Sequence, residues 1–430
     1  MDTLPLEILL NIVHQISELD TLANLLVASP SAWRLFGQFG PKILNRCLDS
    51  TYIDKDTKTT IRIIAYIREG CLPVNNLGDL RRLVTNDSIT HGCCRGGHKT
   101  IINNIGAQVY EGHEWFMHEQ EIFSPARLPK ECDCATVRGI LASFRRITFL
   151  TMDCLNTHLQ RFRQLRPRCA EDPDYSDKDL DMSGICNGNP PSVPVPRRDV
   201  GLPTWLEEQA VLRAFWRLQF VNDLRRALTH GVLKNWDDAQ IAQLNSLSIP
   251  DVYDFAELNY DIEAASYCFD ADLMGTQIAE HSLILMALEH MDRNPRVMPS
   301  TSWARVGPIF HPPLPNPDCP EHMQWTEQKE LSTHWSEGLR RFTCTFDRLC
   351  GLDHESESVL LPPFQRLGLP IWSAERLDGY GLTSSGGVFS GQRGLHLVTW
   401  VSILGNEDVA RFIAEEKRIK SEWGITFRVD

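Results

Sequence analysis

The densest group of reactive side chains in this sequence is the set of cysteines and histidines between positions 91 and 134. His91-Gly92-Cys93-Cys94, then His98, with Cys132-x-Cys134 downstream, are the ligand types that zinc takes. A structural zinc needs four such donors in a tetrahedron, commonly supplied as two close pairs. Adjacent cysteines and a Cys-x-Cys pair close that geometry poorly, so reduced thiols in a loop are the simpler account. The same stretch approaches a phosphate loop at Gly97-His98-Lys99-Thr100, but His98 separates the glycine from the lysine that must reach the phosphates. His113-Glu114 with His118 departs from the zinc-protease helix motif. On a regular helix the i+5 step turns the second ring by about 500°, leaving it some 140° from the first. No Gly-x-Ser-x-Gly elbow occurs. The stretch from Thr383 to Gly391 reads as a Gly/Ser turn, and the pairs Asp237-Asp238 and Glu415-Glu416 fall where helix termini or solvated faces are expected. The sequence therefore assigns no catalytic residue, no metal ligand and no cofactor. The remaining enzyme alternative is a metal-dependent one centred on residues 91–134.

Composition narrows the partners. The chain of 430 residues carries 43 basic and 56 acidic side chains, a net charge of −13, which disfavours nucleic-acid binding by bulk electrostatics. The short run Arg161, Arg163, Arg166 and Arg168 reads as a solvated helix face. Neither a basic, then apolar leader nor an 18-residue apolar stretch is present, so neither export nor a membrane span is expected. The 13 cysteines should then be reduced, in cytoplasm or nucleus, and Asn86-Asp87-Ser88 is a chance glycosylation match.

Apolar periodicity predicts a mainly α chain. Helices are expected at 60–69, ended by Gly70, at 78–85, and from about Ala135 to Gln164. Residues 167–201, with Pro167, Pro173, Pro190, Pro191, Pro194 and Pro196 among small polar residues, read as a linker that cannot order itself. Thr204-x-x-Glu207 is a capping-box candidate opening a helix whose stripe is Val211, Phe215, Leu218, Val221, Leu224 and Leu228, with Gly231 at its end. The polar residues between these should face outward or cap. Further helices are expected at 237–247, 276–292, 326–350 and 406–422, with a Pro-rich loop at 295–322, while His396–Leu404 is ambiguous between strand and helix. Most of the eleven tryptophans should be core.

The first 36 residues hold more apolar side chains than so short a piece can bury alone. Pro5 suits a helix start, and Leu4, Ile8, Leu9, Ile12 and Ile16 recur at helical spacing. Asp20 is a candidate cap for a second helix carrying Leu22, Leu25 and Leu26, which Pro30 should stop. Ser31 can cap a third, carrying Leu35 and Phe36 and closed by Gly40-Pro41. Three short helices in about forty residues sit near the lower limit of independent folding. Either the rest of the chain covers the surplus, or a partner does.

In order and spacing, Leu4-Pro5-x-Glu7-Ile8-Leu9, Ile12, Leu19-Asp20-x-Leu22, Ala28-Ser29 and Trp33-Arg34 resemble the F-box, which docks on the adaptor Skp1. The resemblance spans residues 2 to about 40; it departs at Ser29-Pro30-Ser31, where many F-boxes carry a Ser-Lys-type step. Further on, Trp216-Arg217-Leu218-Gln219 with Asn222-Asp223-Leu224, then Arg366-Leu367-Gly368, Trp372 and Arg376-Leu377, look like a group of fungal F-box proteins with a helical C-terminal region. The resemblance implies an F-box at 1–42, a helical region at 43–166, the Pro-rich linker at 167–201 and a helical target-binding region at 202–430. It implies a non-catalytic substrate receptor of an SCF-type ubiquitin ligase, holding a Skp1-like adaptor, through it a cullin, and an unidentified protein target. The residues implied for Skp1, as interface or interface-shaping positions, are Leu4, Pro5, Ile8, Leu9, Ile12, Leu22, Leu25, Ser29 and Trp33. A non-ligase scaffold carrying the same module is the alternative.

Overall fold

The computed structural model describes residues 4–80, 83, 123–172, 191–199, 201–252, 270–293, 362–382 and 393–423. These are mainly helical. In chain order come α1 (Leu6–His14), α2 (Leu19–Ala28), α3 (Pro30–Ser50), α4 (Lys55–Arg68) and α5 (Cys134–Gln164). An antiparallel ribbon of β1 (Arg168–Ala170) and β2 (Ser192–Pro194) follows, then α6 (Trp205–Thr229), α7 (Asp238–Ser246), α8 (Ile249–Val252) and α9 (Asp270–Arg293). After α10 (Pro362–Arg366), a 3-10 turn at Leu369–Ile371 and α11 (Ala374–Gly379) lead to α12 (Arg393–Ser402) and α13 (Asn406–Trp423). The ambiguous stretch around His396 is thus helical. One buried apolar cluster runs from Leu9 to Val401 and takes residues from both sides of 167–201.

At its centre lies α6. The expected capping box is made in full: Thr204 Oγ1 accepts from the Glu207 N–H at 3.3 Å, and Glu207 Oε2 accepts from the Thr204 N–H at 2.8 Å. The predicted stripe is buried, but so are Trp205, Glu208, Gln209, Leu212, Arg213, Trp216, Arg217 and Phe220. The polar residues between the stripe therefore do not face outward as expected. Glu207, Gln209 and Arg213 tolerate burial because each finds a partner on another element. Glu207 also accepts from Arg376 Nε and Nη2, both at 2.9 Å, and from the N–H and Oγ–H of Ser373. The same guanidinium donates to the carbonyls of Gly201 and Leu202 at 3.0 and 2.7 Å. It is a bidentate pair with almost no solvent access.

Three more ion pairs bind α6 to α4 and its cap. Arg213 donates to Asp54 at 2.7 Å and to Asp56 at 3.3 Å, while Arg68 donates to Asp223 at 2.7 Å. Gln209 Oε1 accepts from the Asp54 N–H at 3.0 Å. The sequence separations of these pairs stay between 155 and 159, so the two helices run in the same direction. Helix α4 starts five residues before the predicted 60 because Asp54 caps it, accepting from the Asp56 and Thr57 N–H groups. Burial pushes the Asp54 carboxyl up, yet Arg213 and the Thr57 bonds hold it below its usual range.

Helix α5 packs along the other side. Phe144 stacks on Trp216 with centroids 6.5 Å apart, and Phe162 lies 5.4 Å from Trp372 and 4.4 Å from Tyr380. Trp205, Trp216, Trp236, Trp372 and Trp400 are all buried, as expected of core tryptophans. Gly368 adopts a left-handed φ of 77°, and a Cβ there would lie 2.7 Å from His158 Cβ, so both backbone and space require glycine.

The arginines near the end of α5 are solvated only in part: Arg166 and Arg168 are exposed, Arg161 and Arg163 half-buried, and all four bond protein groups. Arg161 donates to the Arg366 carbonyl at 3.1 Å, Arg163 to that of Gly201 at 3.2 Å, and Arg166 to that of Leu165 at 2.9 Å. Arg163 also pairs with Asp199 at 3.1 Å, and Arg168 bonds Ser192. From the opposite side Arg197 donates to the Leu165 carbonyl at 2.9 Å. Guanidinium groups thus satisfy carbonyls at a helix C-terminus, where positive charge is favoured. They also explain how residues 191–199, poor in apolar side chains, hold a defined path across α5 instead of forming a free linker.

Removing one partner of the buried Arg376–Glu207 pair leaves an uncompensated charge. Glu207→Ala should cost about 3–5 kcal/mol. Urea unfolding of the full chain measures it, and the double variant with Arg376→Met should lose less than the sum of the two single losses.

Candidate docking surface

The apolar residues of α1 divide between two directions. At about 100° per residue, Leu9 and Val13 share one face, while Ile8 and Ile12 share another about 100° away. Leu9 and Val13 are each only 2 % exposed, whereas Ile8 is 48 % exposed. Leu4, Pro5 and Leu6 at the start of the helix are exposed too, and Ile12 is half-buried. Pro5 occupies the N-cap, and its carbonyl accepts from the Leu9 N–H at 3.0 Å.

Helix α2 begins at Leu19, one residue before the expected cap at Asp20. Glu18 holds the N-cap position, and its carboxylate accepts from Thr21 Oγ1 at 2.8 Å. Asp20 sits in the first turn, where the helix dipole favours it. Burial there, with Glu18 adding repulsion and Arg145 opposing both, raises its carboxyl above the ordinary range. Leu22 and Leu26 point inward, Leu25 is half-buried, and Val27 is exposed.

Pro30 and Ser31 exchange their expected parts with Ser29. The Ser29 Oγ is buried and accepts from the Ala32 N–H at 3.2 Å, so Ser29 is the N-cap of α3. Pro30 therefore opens α3 at its first position, where a missing N–H costs nothing. Nor does α3 close at Gly40-Pro41; it continues to Ser50 with Pro41 inside it. The proline removes the donor that would have reached the Gly37 carbonyl, four residues back. That carbonyl accepts instead from the Cys134 Sγ–H at 3.0 Å, on the first turn of α5. The first module is thereby tied to the body at the point where its third helix was expected to end.

One turn along α5, the Arg138 guanidinium lies 4.1 Å from the centre of the Trp33 ring, which is 43 % exposed. Of the nine residues proposed for partner contact, Leu4, Pro5, Ile8 and Trp33 thus lie on the surface, Ile12 and Leu25 are intermediate, and Leu9, Leu22 and Ser29 lie inside. Sequence reasoning missed Leu6, Val27 and Arg138. Leu6 and Val27 flank predicted stripes and could have been found. Arg138 is 105 positions from Trp33, and no local pattern connects them.

The other chemical candidates gain little. His91 to His118, the near phosphate loop, the loop at 383–391 and the expected helix at 326–350 lie outside the described residues. Cys134 is engaged with Gly37, and burial, reinforced by Glu69, pushes the Cys132 thiol up to about 12, away from the thiolate a metal needs. Among the described residues no group of three or more His, Cys, Asp or Glu could hold a metal, and no helix is long and apolar enough to cross a membrane. Asp237 caps α7, accepting from the Gln240 N–H at 2.7 Å. His290 Nε2 lies 2.9 Å from Asp153 Oδ2, joining α9 to α5. No protein-family model, curated protein or solved structure matches this chain.

Two outcomes follow from this geometry. Ser29→Ala should cost about 1 kcal/mol, seen as a lowered urea midpoint. Burial, with Arg161 and His290 adding to it, pushes the His158 imidazole down to about 3. Its lowered value means the unfolded chain binds the proton first as pH falls. His158 therefore contributes stability above about pH 6.5 that is lost progressively toward pH 3, by up to about 1.4 kcal/mol per pH unit. Urea titrations at pH 7.5 and 5.0 should show that loss, and His158→Gln should reduce it.

Proposed function

We propose that this chain is a substrate receptor of an SCF-type ubiquitin ligase, docking a Skp1-like adaptor through its first three helices. The observation that carries the reading is the division of α1. Residues Leu4, Pro5 and Ile8, which the F-box resemblance assigns to Skp1, are turned away from the core that Leu9 and Val13 fill. Trp33 is exposed in the same module. An apolar surface of this kind suits a permanent or frequent protein partner.

In this role the chain performs no covalent step. It holds a target near a ubiquitin-loaded enzyme and raises their effective concentration. The body built on α6 would present the unidentified target protein, and the adaptor would bring in a cullin. If the adaptor binds without a cullin, the module serves a scaffold outside a ligase, so assaying the purified complex for the cullin separates the two.

Deleting the module is a poor test, because Leu35, Phe36 and Leu44 belong to the shared core. Point variants separate docking from folding. Ile8→Asp should weaken adaptor binding by about 30-fold or more, the scale of an interface hot spot, and leave the urea midpoint unchanged. Leu9→Ala should lower stability by about 2–5 kcal/mol. Titration calorimetry with purified adaptor measures the first effect, and equal affinity of Ile8→Asp and the native chain would refute the assignment.

A further inference from the structure

The stack of Arg138 on Trp33 has a chemical direction. A guanidinium lying over an indole uses its face, and its N–H donors remain available in the plane, where they fork toward a carboxylate. Among the described residues Arg138 makes no hydrogen bond or ion pair from its terminal nitrogens; its Nε is buried without a partner, and Nη2 would stand 3.5 Å from a Cβ at Gly37, an ordinary contact. Carboxylates of the first helices and of the α5 cap have other partners. Asp133 caps α5 through the Thr136 N–H at 2.6 Å, Glu18 accepts from Thr21, and Asp49 pairs with Arg62. Asp20 faces the charge of Arg145. The cation is thus held by an exposed aromatic ring at the edge of the apolar module, with no internal anion assigned to it.

We infer that Arg138, from outside the three-helix module, is part of the docking surface, and that with Trp33 it receives a carboxylate side chain of the adaptor. This rests on the docking reading above. The occupant it requires is an apolar surface bordered by an Asp or Glu, which complements the exposed Trp33 ring beside one fixed positive charge. A point charge on a flexible stem would not serve as well, since only a planar guanidinium both stacks on the ring and donates in a fork.

The test is calorimetric titration of the full chain with purified Skp1-like adaptor at low and high salt. Arg138→Gln should weaken binding about tenfold, the scale of one charge-assisted hydrogen-bonded contact, and should flatten the salt dependence seen with the native chain. Arg138→Lys, which keeps charge and stem and so guards against loss of fold, should fall between the two. Affinity of Arg138→Gln within twofold of the native chain overturns the inference and leaves the docking reading standing. Weakened binding with an unchanged salt slope also overturns it, because Arg138 would then merely position Trp33. Failure of the native chain to bind the adaptor overturns both. Self-association that depends on Arg138 without adaptor would assign the surface to a second copy and overturn the inference as well.

Discussion

Burial of charge along α6 is the constraint on which the rest of this structure depends. A helix at the centre of a helical body normally reads as apolar all round. This one carries Glu207, Arg213 and Asp223 into the interior, and each is paired with a residue far away in sequence. The pairs fix more than energy. Arg213 and Asp223 set α4 parallel to α6 at one register, and Glu207 sets the start of α6 against Ser373 and Arg376. An apolar stripe alone would allow a helix to slide or rotate. Buried pairs impose one arrangement, at the cost of desolvating each ion.

Much of the rest of the chain is held by the same means. Arginines donating to backbone carbonyls order residues 191–199 across α5, where few apolar contacts are available. At the other end of α5, Cys134 takes the carbonyl that Pro41 leaves without a donor, and Arg138 covers Trp33. The first three helices are therefore seated on the body by specific contacts as well as by packing. For a receptor this matters mechanically: a target held by the body would keep a defined position relative to an adaptor held by the module.

Local signals were legible and distant pairings were not. Thr204-x-x-Glu207 announced both bonds of a capping box because they depend on a three-residue spacing. The periodicity of 135–164 located α5 to within a residue. Ser29 was misjudged because either of two serines flanking Pro30 could cap, and only the backbone geometry selects between them. Gly40-Pro41 looked like a stop because sequence shows the donor that proline lacks but not the thiol that compensates. Arg166 and Arg168 are exposed, as expected, but the carbonyls that Arg161, Arg163 and Arg166 reach leave no mark in a sequence. Of the residues proposed for docking, the F-box-like order pointed to Leu4, Ile8 and Trp33, but their exposure depends on which way α1 and α3 lie on the body. The partner of Trp33 on α5 had no local signature at all.

The most direct test of the account is amide hydrogen exchange of the full chain with and without purified Skp1-like adaptor. Docking through the first module predicts slowed exchange in α1, in α2 and in the first turns of α3, with little change along α6, which is already buried. Unchanged exchange in residues 4–33 at saturating adaptor, or protection confined to the body, would contradict it.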